Sequence, residues 1–391
     1  MDFQLTPEQQ ALRDRARAFA EREILPVAAK YDREEAHPHE VILRARAEGL
    51  TELGIPREYG GPGLGALDVA IVSEQFAWAC PGMATALGMN GLAAEPIIIA
   101  GTEEQKRRWL PRLTQGEYAS YAVTEPDAGS DVASMTTRAE RRGDHYVING
   151  VKRWIGNAPH ANFMVVFAKT DPSAGHRGIS AFIVERDTPG IEVRKLHKFG
   201  QRAVQNGEIT FTDVVVPAEN RLGNEGDGFL IAMKVFDRTR PMVAAFGVGV
   251  IQRCLDESLR YALQRRTMGQ PIIQHQAVGH KIAEMQIRLN AARWLTYHAA
   301  WLADQGQRNT LEAALAKAFA ADSAMWAATE AMQIFGGNSY STDYPIEKIF
   351  RDTKLLQIYE GTSEIQRNII VRELAKAAIA AATAAAGVPA F

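Results

Sequence analysis

The spacing of apolar residues changes twice along the chain. Residues 1–118 follow helical spacing, with Leu12, Ala16, Phe19 and Ala20 on one face. Thr6 predicts an N-cap there, with Pro7 in the first turn and Gln9 completing a capping box. Ile97-Ile98-Ile99 reads as buried helix. Residues 119–225 switch to short β runs. Residues 136–140 and 145–150 flank Arg141-Arg142-Gly143-Asp144 and predict a hairpin with a glycine turn. Runs 162–168, 179–185 and 208–214 are further strands, and this spacing predicts a small β-barrel or sandwich. Helical spacing returns over residues 226–391. Segments 226–267, 274–305, 309–336 and 345–380, with short connections, predict an antiparallel four-helix bundle. The tail after Lys376 is alanine-rich and is expected to fray. The expected class is α+β: an N-terminal α-helical domain, a middle β-barrel domain and a C-terminal four-helix bundle.

Composition removes several function classes. A chain of 391 residues exceeds one ordinary core, which agrees with three domains. Hydrophobic residues at 46% and charged residues at 23% are ordinary for a globular protein. A formal net charge of -2 offers no basic surface to nucleic acid. The start, Met1-Asp2-Phe3-Gln4-Leu5-Thr6-Pro7-Glu8, mixes charges early, and no apolar run looks long enough to cross a bilayer. A cytoplasmic protein without a membrane span is expected. Cys80 and Cys254 match neither a metal spacing nor a disulfide framework and read as reduced core residues. The nine histidines form no metal set, and there is no P-loop and no G-x-S-x-G elbow. Gly61, Gly63 and Ala66 give a nominal dinucleotide fingerprint, but no strand precedes it, so it reads as a structural loop.

Several short stretches carry chemistry. Glu360 stands alone between Tyr359 and Gly361 in Gln357-Ile358-Tyr359-Glu360-Gly361-Thr362-Ser363. A carboxylate in apolar surroundings becomes a stronger base, which suits proton abstraction beside a carbonyl; alternatively it is a helix-end acid before a glycine cap. Tyr121-Ala122-Val123-Thr124-Glu125-Pro126-Asp127-Ala128-Gly129-Ser130-Asp131 has hydroxyls and a Pro-to-Gly turn fit for a heterocycle edge or an anionic oxygen. It equally fits a domain-crossing turn whose hydroxyls bond their own backbone. Trp154 either walls a flat cofactor or is core. Phe236-Asp237-Arg238-Thr239-Arg240 offers cations for phosphate-type groups, or a solvated helix face. Arg265 ends a helix, where the helix dipole alone favours it.

Taken together these stretches, with Gln333-Ile334-Phe335-Gly336-Gly337, resemble an acyl-CoA dehydrogenase of the medium- and short-chain type over residues 5–374. The resemblance implies FAD, a homotetramer built as a dimer of dimers, an acyl-CoA substrate and an electron-transfer flavoprotein as partner. By resemblance Tyr121, Val123, Thr124, Gly129 and Ser130 line the flavin, with Trp154, Ile155 and Gly156 at its face. Arg265, Thr267 and Gln276 reach FAD across a subunit boundary, and Gln333, Gly336 and Gly337 hold its adenine-side half. Thr362 and Glu364 lie near FAD. Ser130, Asp237, Arg238, Arg240, Tyr359 and Gly361 meet the substrate, the first four of them its CoA portion. Glu360 is the base, since Thr239 stands where some relatives carry it instead. The implied reaction is α-proton removal by Glu360 with β-hydride loss to the flavin, giving a trans-2-enoyl-CoA. No metal is expected. Relatives usually carry a hydroxyl residue where Gly156 stands and phenylalanine where Met268 stands. The competing expectations are an acyl-CoA oxidase, a flavin monooxygenase of the same fold, and a non-catalytic CoA-binding subunit.

Overall fold

The computed structural model describes residues 4–385. The charge-mixed start before Gln4 and the alanine-rich tail beyond residue 385 lie outside the described residues.

Six α-helices come first: α1 Pro7–Phe19, α2 Ala28–Arg33, α3 His39–Ala47, α4 Ala66–Ala79, α5 Pro81–Ala100 and α6 Glu103–Thr114. The capping box at Thr6 and Gln9 forms as expected, and Thr102 with Gln105 repeats it at α6. One expectation needs correction. α5 is long and apolar enough, with a mean hydropathy of 1.3, to cross a membrane. Thr85, Asn90 and Glu95 interrupt its apolar letters and hide the run in the sequence. Here α5 is a core helix instead, burying Met83, Leu87, Ala93, Ala94 and Ile97. Cys80 and Cys254 are free and buried, and the Cys80 sulfur caps α5 by accepting from the Met83 N–H.

Eight strands follow: β1 Ala119–Ala122, β2 Arg138–Arg142, β3 His145–Gly156, β4 Phe163–Lys169, β5 Ile179–Glu185, β6 Ile191–Leu196, β7 Asn206–Pro217 and β8 Arg221–Leu222. They form one sheet in the order β6-β7-β3-β2-β4-β5-β8, with β1 parallel to β4. The β2–β3 hairpin pairs Arg138 with Asn149 and Arg142 with His145. β4 is buried on both faces. Phe163, Val165 and Phe167 pack toward Trp109 and Leu110 of α6, while Met164 and Val166 face Tyr146 and Phe182. A register shift in the β3–β7 ladder spans Arg153 and Trp154. Trp154 sits there at φ 65 with half its surface exposed, so the bulge turns the indole out of the pleat.

The bundle is built from α7 Gly228–Gln264, α8 Gln276–Asp304, α9 Thr310–Phe335, α10 Ile346–Thr353 and α11 Ser363–Ala385. A small ribbon, β9 Arg266–Thr267 with β10 Gln270–Pro271, joins α7 to α8. Glycines let α7 approach its neighbours. A Cβ at Gly247 would lie 2.9 Å from the Ala320 carbonyl of α9, and one at Gly249 would lie 2.3 Å from the Glu74 carbonyl of α4. Pro241 lies inside α7 and has no N–H for the Asp237 carbonyl. The Asn309 side chain supplies that donor at 3.3 Å. The expected fourth helix over 345–380 is broken in two. A 3-10 turn, Lys354–Gln357, is followed by Glu360 at φ 55 and Gly361 at φ 86. Two successive left-handed residues cannot continue a right-handed helix.

Candidate active site

The break between α10 and α11 places Glu360 beside α7 and α9. One Glu360 carboxylate oxygen accepts from the Thr239 hydroxyl of α7 at 2.9 Å. The turn is gripped from behind. Gln366 of α11, fully buried, donates to the Glu360 and Gly361 carbonyls at 3.1 and 3.0 Å. Lys317 of α9 donates to the Gly361 carbonyl at 2.6 Å. Burial raises the Glu360 pKa above the ordinary carboxylate value, and the Thr239 bond and the Arg240 and Lys317 charges oppose that rise without cancelling it. Glu360 is therefore a stronger base than a free glutamate.

Other expected residues gather around it. Tyr121 of β1 is buried, and its hydroxyl has no protein partner. Burial raises its pKa well above the usual phenol value, and the Glu360 charge adds to the rise. Tyr359 is partly buried and reaches Thr85 at 3.4 Å. Arg240 is buried and donates to Asp237 at 2.8 Å, and Asp237 also accepts from Thr310 at 2.8 Å. Arg238 pairs with Glu95 of α5 at 2.6 Å. These three residues of the Asp237–Arg240 stretch thus all engage protein partners. Arg238, Glu95 and Thr239 line a cavity of about 350 Å³ together with Leu87, Gly88, Gly91, Leu92 and Met242.

The sheet holds a second set of expected residues. Val123 is buried, Thr124 partly so, and Gly129 and Ser130 end an exposed turn. The Thr124 carbonyl accepts from the Arg153 N–H at 2.9 Å, which fastens the loop beside Trp154. Ile155 is buried. At Gly156 a Cβ would come within 2.4 Å of the Met89 sulfur. Met89 of α5 fills the room that a hydroxyl side chain would need. Beneath this loop lies a buried pair the sequence did not flag as functional. Lys152 donates to the Val123 carbonyl and to Glu125, both at 2.9 Å. Glu125 also accepts from the Thr136 and Thr137 backbone at 2.6 and 2.9 Å.

A third group lies elsewhere. Arg265 and Thr267 are exposed at the β9–β10 ribbon, and Thr267 bonds His275 at 2.9 Å next to Gln276. Gln333, Gly336 and Gly337 are exposed at the end of α9, and a Cβ on either glycine would meet open space. The Tyr261 and Phe335 rings, stacked at 4.1 Å, bring the α7 and α9 ends together. Arg265 stands ~39 Å along α7 from Thr239 at 1.5 Å per residue. Thr362 caps α11 by accepting from Ile365, and Glu364 is exposed in its first turn. Lys317, Gln366, Lys152 and Met89 were all missed. Lys317 had a signal: it stands four residues from Ala313 and from Ala321, on the buried alanine face of α9.

Three family descriptions cover most of the chain: acyl-CoA dehydrogenase N-terminal domain at residues 6–117, middle domain at 120–214 and C-terminal domain at 226–375. The chain belongs to the acyl-CoA dehydrogenase family. Membership makes it an FAD-dependent oxidoreductase acting on the CH–CH group of an acyl-CoA. It is 42% identical over 380 residues to an acryloyl-CoA reductase (NADH) of Anaerotignum propionicum, covering 96% of each chain. The butyryl-CoA dehydrogenase of Megasphaera elsdenii superposes with a TM-score of 0.92 at 39% identity, over 96% of this chain and all of the other. A chain solved in work on the electron transferring flavoprotein of Acidaminococcus fermentans gives the same TM-score and identity, over 96% and 99%. The acyl-CoA dehydrogenase site fits a flavin on its own evidence. An uncovered indole on a bulge, a hydroxyl-bearing turn fastened next to it and the orphaned Tyr121 hydroxyl supply the aromatic and polar groups that an isoalloxazine requires.

Proposed function

We propose that this acyl-CoA dehydrogenase forms the trans-2-enoyl thioester of its substrate with Glu360 as the base. The observation that supports this most is the Glu360 carboxylate, raised in pKa by burial and fixed to Thr239 at 2.9 Å. Val123, Thr124, Gly129, Ser130, Trp154, Ile155 and Gly156 would hold the isoalloxazine side of FAD, with Tyr121 at the shared boundary. FAD, when bound, supplies the hydride acceptor. The chain's own part is to hold the thioester so that its α-carbon faces Glu360. Glu360 then takes the α-proton onto a carboxylate oxygen. The Thr239 hydroxyl keeps that oxygen aimed, and the walls from α5 and α7 exclude water, which strengthens each polar contact.

Arg265, Thr267, Gln276, Gln333, Gly336 and Gly337 serve FAD of a second copy, in a homotetramer. The ~39 Å from Thr239 to Arg265 along α7 supports this, because one dinucleotide does not bridge it. Asp237, Arg238 and Arg240 act around the CoA portion, and the acyl group enters the cavity bearing Gly88 and Gly91. Electrons pass to an electron-transfer flavoprotein, a partner supported by the likeness to the Acidaminococcus chain.

Anaerobic titration with a panel of acyl-CoAs tests the reading. At least one must bleach the flavin absorbance with formation of one enoyl-CoA per flavin. A flavin that stays oxidised with every acyl-CoA contradicts it. Peroxide released in proportion to turnover in air would instead identify an oxidase. A second reading, reduction of an enoyl thioester, is favoured by the 42% identity to an acryloyl-CoA reductase. Oxidation of NADH that depends on an enoyl-CoA would select it.

A further inference from the structure

We infer that Lys317 is a positioning residue for the base: its ammonium clamps the Gly361 carbonyl and keeps a positive charge beside the Glu360 carboxylate. This rests on the reading of Glu360 as base. Lys317 is one of the largest fully buried side chains in the protein, at 0% exposure. It occupies an alanine-lined face of α9 with Ala313, Ala316, Ala320 and Ala321 buried around it. A methionine would fill that slot without the desolvation that a buried ammonium suffers. The lysine gains one strong bond there, 2.6 Å to the Gly361 carbonyl.

That carbonyl belongs to the second of two successive left-handed residues, Glu360 at φ 55 and Gly361 at φ 86. Such a conformation is costly for a glutamate and persists only where the surroundings fix it. Gln366 and Lys317 do so from two different helices, and Thr239 fixes the carboxylate from a third. The charges that reach Glu360 come from α7 as Arg240 and from α9 as Lys317, and the phenols that feel its charge are Tyr121 of β1 and neighbouring Tyr359, both held neutral by raised pKa values. Arg240 already has a counter-charge in Asp237 at 2.8 Å. Around Lys317 the anions acting are Glu360 first, then Asp322 and Glu364. Glu360 is thus the first anion that the Lys317 charge meets, whereas Arg240 is bonded to Asp237. The Lys317 charge opposes the rise in basicity that burial imposes on that carboxylate.

The test uses FAD-loaded enzyme. The Glu360 carboxyl band is identified by its loss in Glu360→Gln and titrated by infrared difference spectroscopy. In parallel, the rate of anaerobic flavin bleaching by acyl-CoA is followed against pH. Lys317→Gln keeps a donor to Gly361 but removes the charge. It must move the titration midpoint and the acid limb of the rate profile upward together, on the order of one pH unit. Lys317→Met, which fills the slot without charge, must do the same, and Lys317→Arg must restore the wild-type midpoint. Gln366→Met removes the other clamp without a charge change. It must slow bleaching and leave the midpoint in place. A midpoint that stays at the wild-type value in either folded neutral variant overturns the inference. Wild-type bleaching by Glu360→Gln would instead overturn the base itself, and the infrared midpoint would still report on Lys317.

Discussion

Removing both halves of the Lys152–Glu125 pair should cost well short of the sum of removing each. The pair sits under the loop that carries Val123 and Thr124, and neither side chain sees solvent to any extent. Burial alone would raise Glu125, but the Lys152 charge and the bonds from Thr137 and Thr136 outweigh it and hold the carboxyl at about 2 instead of 4.5. By linkage that contributes about 3 kcal/mol at neutral pH, present above the unfolded value and lost as pH falls through 4.5 toward 2. Lys152 runs the other way. Burial pushes it down from 10.5 to about 8, and the Glu125 charge recovers only part. Folding against the charged lysine costs about the same 3 kcal/mol below pH 8, a cost relieved as pH rises toward 10.5. Lys152→Met leaves a buried carboxylate unpaired, and Glu125→Gln leaves a buried ammonium unpaired, each costing about 3–5 kcal/mol. The double variant leaves no charge, but the amide that replaces the Glu125 carboxylate has one oxygen, so it accepts from only one of the Thr136 and Thr137 N–H groups and turns its NH2 toward the other. Its remaining losses are the orphaned Val123 carbonyl and that unmatched N–H, about 1–3 kcal/mol each. Urea titrations at one protein and one FAD concentration measure all four proteins. Single variants within about 1 kcal/mol of wild type, or a double variant that loses the sum of both, would refute this account.

Three further outcomes follow from the same structure. Gly156→Ser must push the Met89 sulfur aside from its 2.4 Å conflict, and because that atom sits near the free end of a flexible, partly buried side chain the loss of stability should stay at about 1 kcal/mol or less; Met89→Ala in the same chain should give back part of that loss in thermal melts. Arg265→Ala and Gln333→Ala should each lower the flavin retained through gel filtration while leaving the far-ultraviolet circular dichroism of each protomer unchanged. His37 stacks on His160 at 4.5 Å with both ring nitrogens unpartnered, and burial holds its pKa down to about 3, with the His160 and His39 charges adding to it. Its folded pKa lies below the unfolded 6.5, so stability must fall as pH drops from 6.5 toward 3, and His37→Phe should flatten the melting temperature over that interval.

The helix–sheet–helix order was legible because apolar period follows secondary structure, and the β2–β3 hairpin was legible because Gly143 marks its turn. β1 was harder to see. Ala119-Ser120-Tyr121-Ala122 is buried throughout, so it shows no alternation. The continuous helix expected over 345–380 failed at Glu360-Gly361, since a single glycine reads as a tolerated helix residue until tertiary bonds from Lys317 and Gln366 stabilise the left-handed turn. Glu360 itself was visible as a lone acid between apolar neighbours. Its supports were not, because Thr239 and Lys317 lie on helices distant in sequence, and Gln366, though near, bonds back only through the left-handed turn that the sequence did not show. Gly156 was legible as a departure, but its cause, Met89, needed the packing of α5 on the sheet.

Stopped-flow reduction of the enzyme-bound flavin by an acyl-CoA, comparing wild type with Glu360→Gln, measures the role of this carboxylate most directly. Glutamine keeps the shape and can still meet the Thr239 hydroxyl, so acyl-CoA affinity should stay within a few-fold while the bleaching rate falls by at least roughly the 10²–10⁴-fold that general-base catalysis contributes. Unchanged bleaching in Glu360→Gln at equal ligand occupancy would contradict the account.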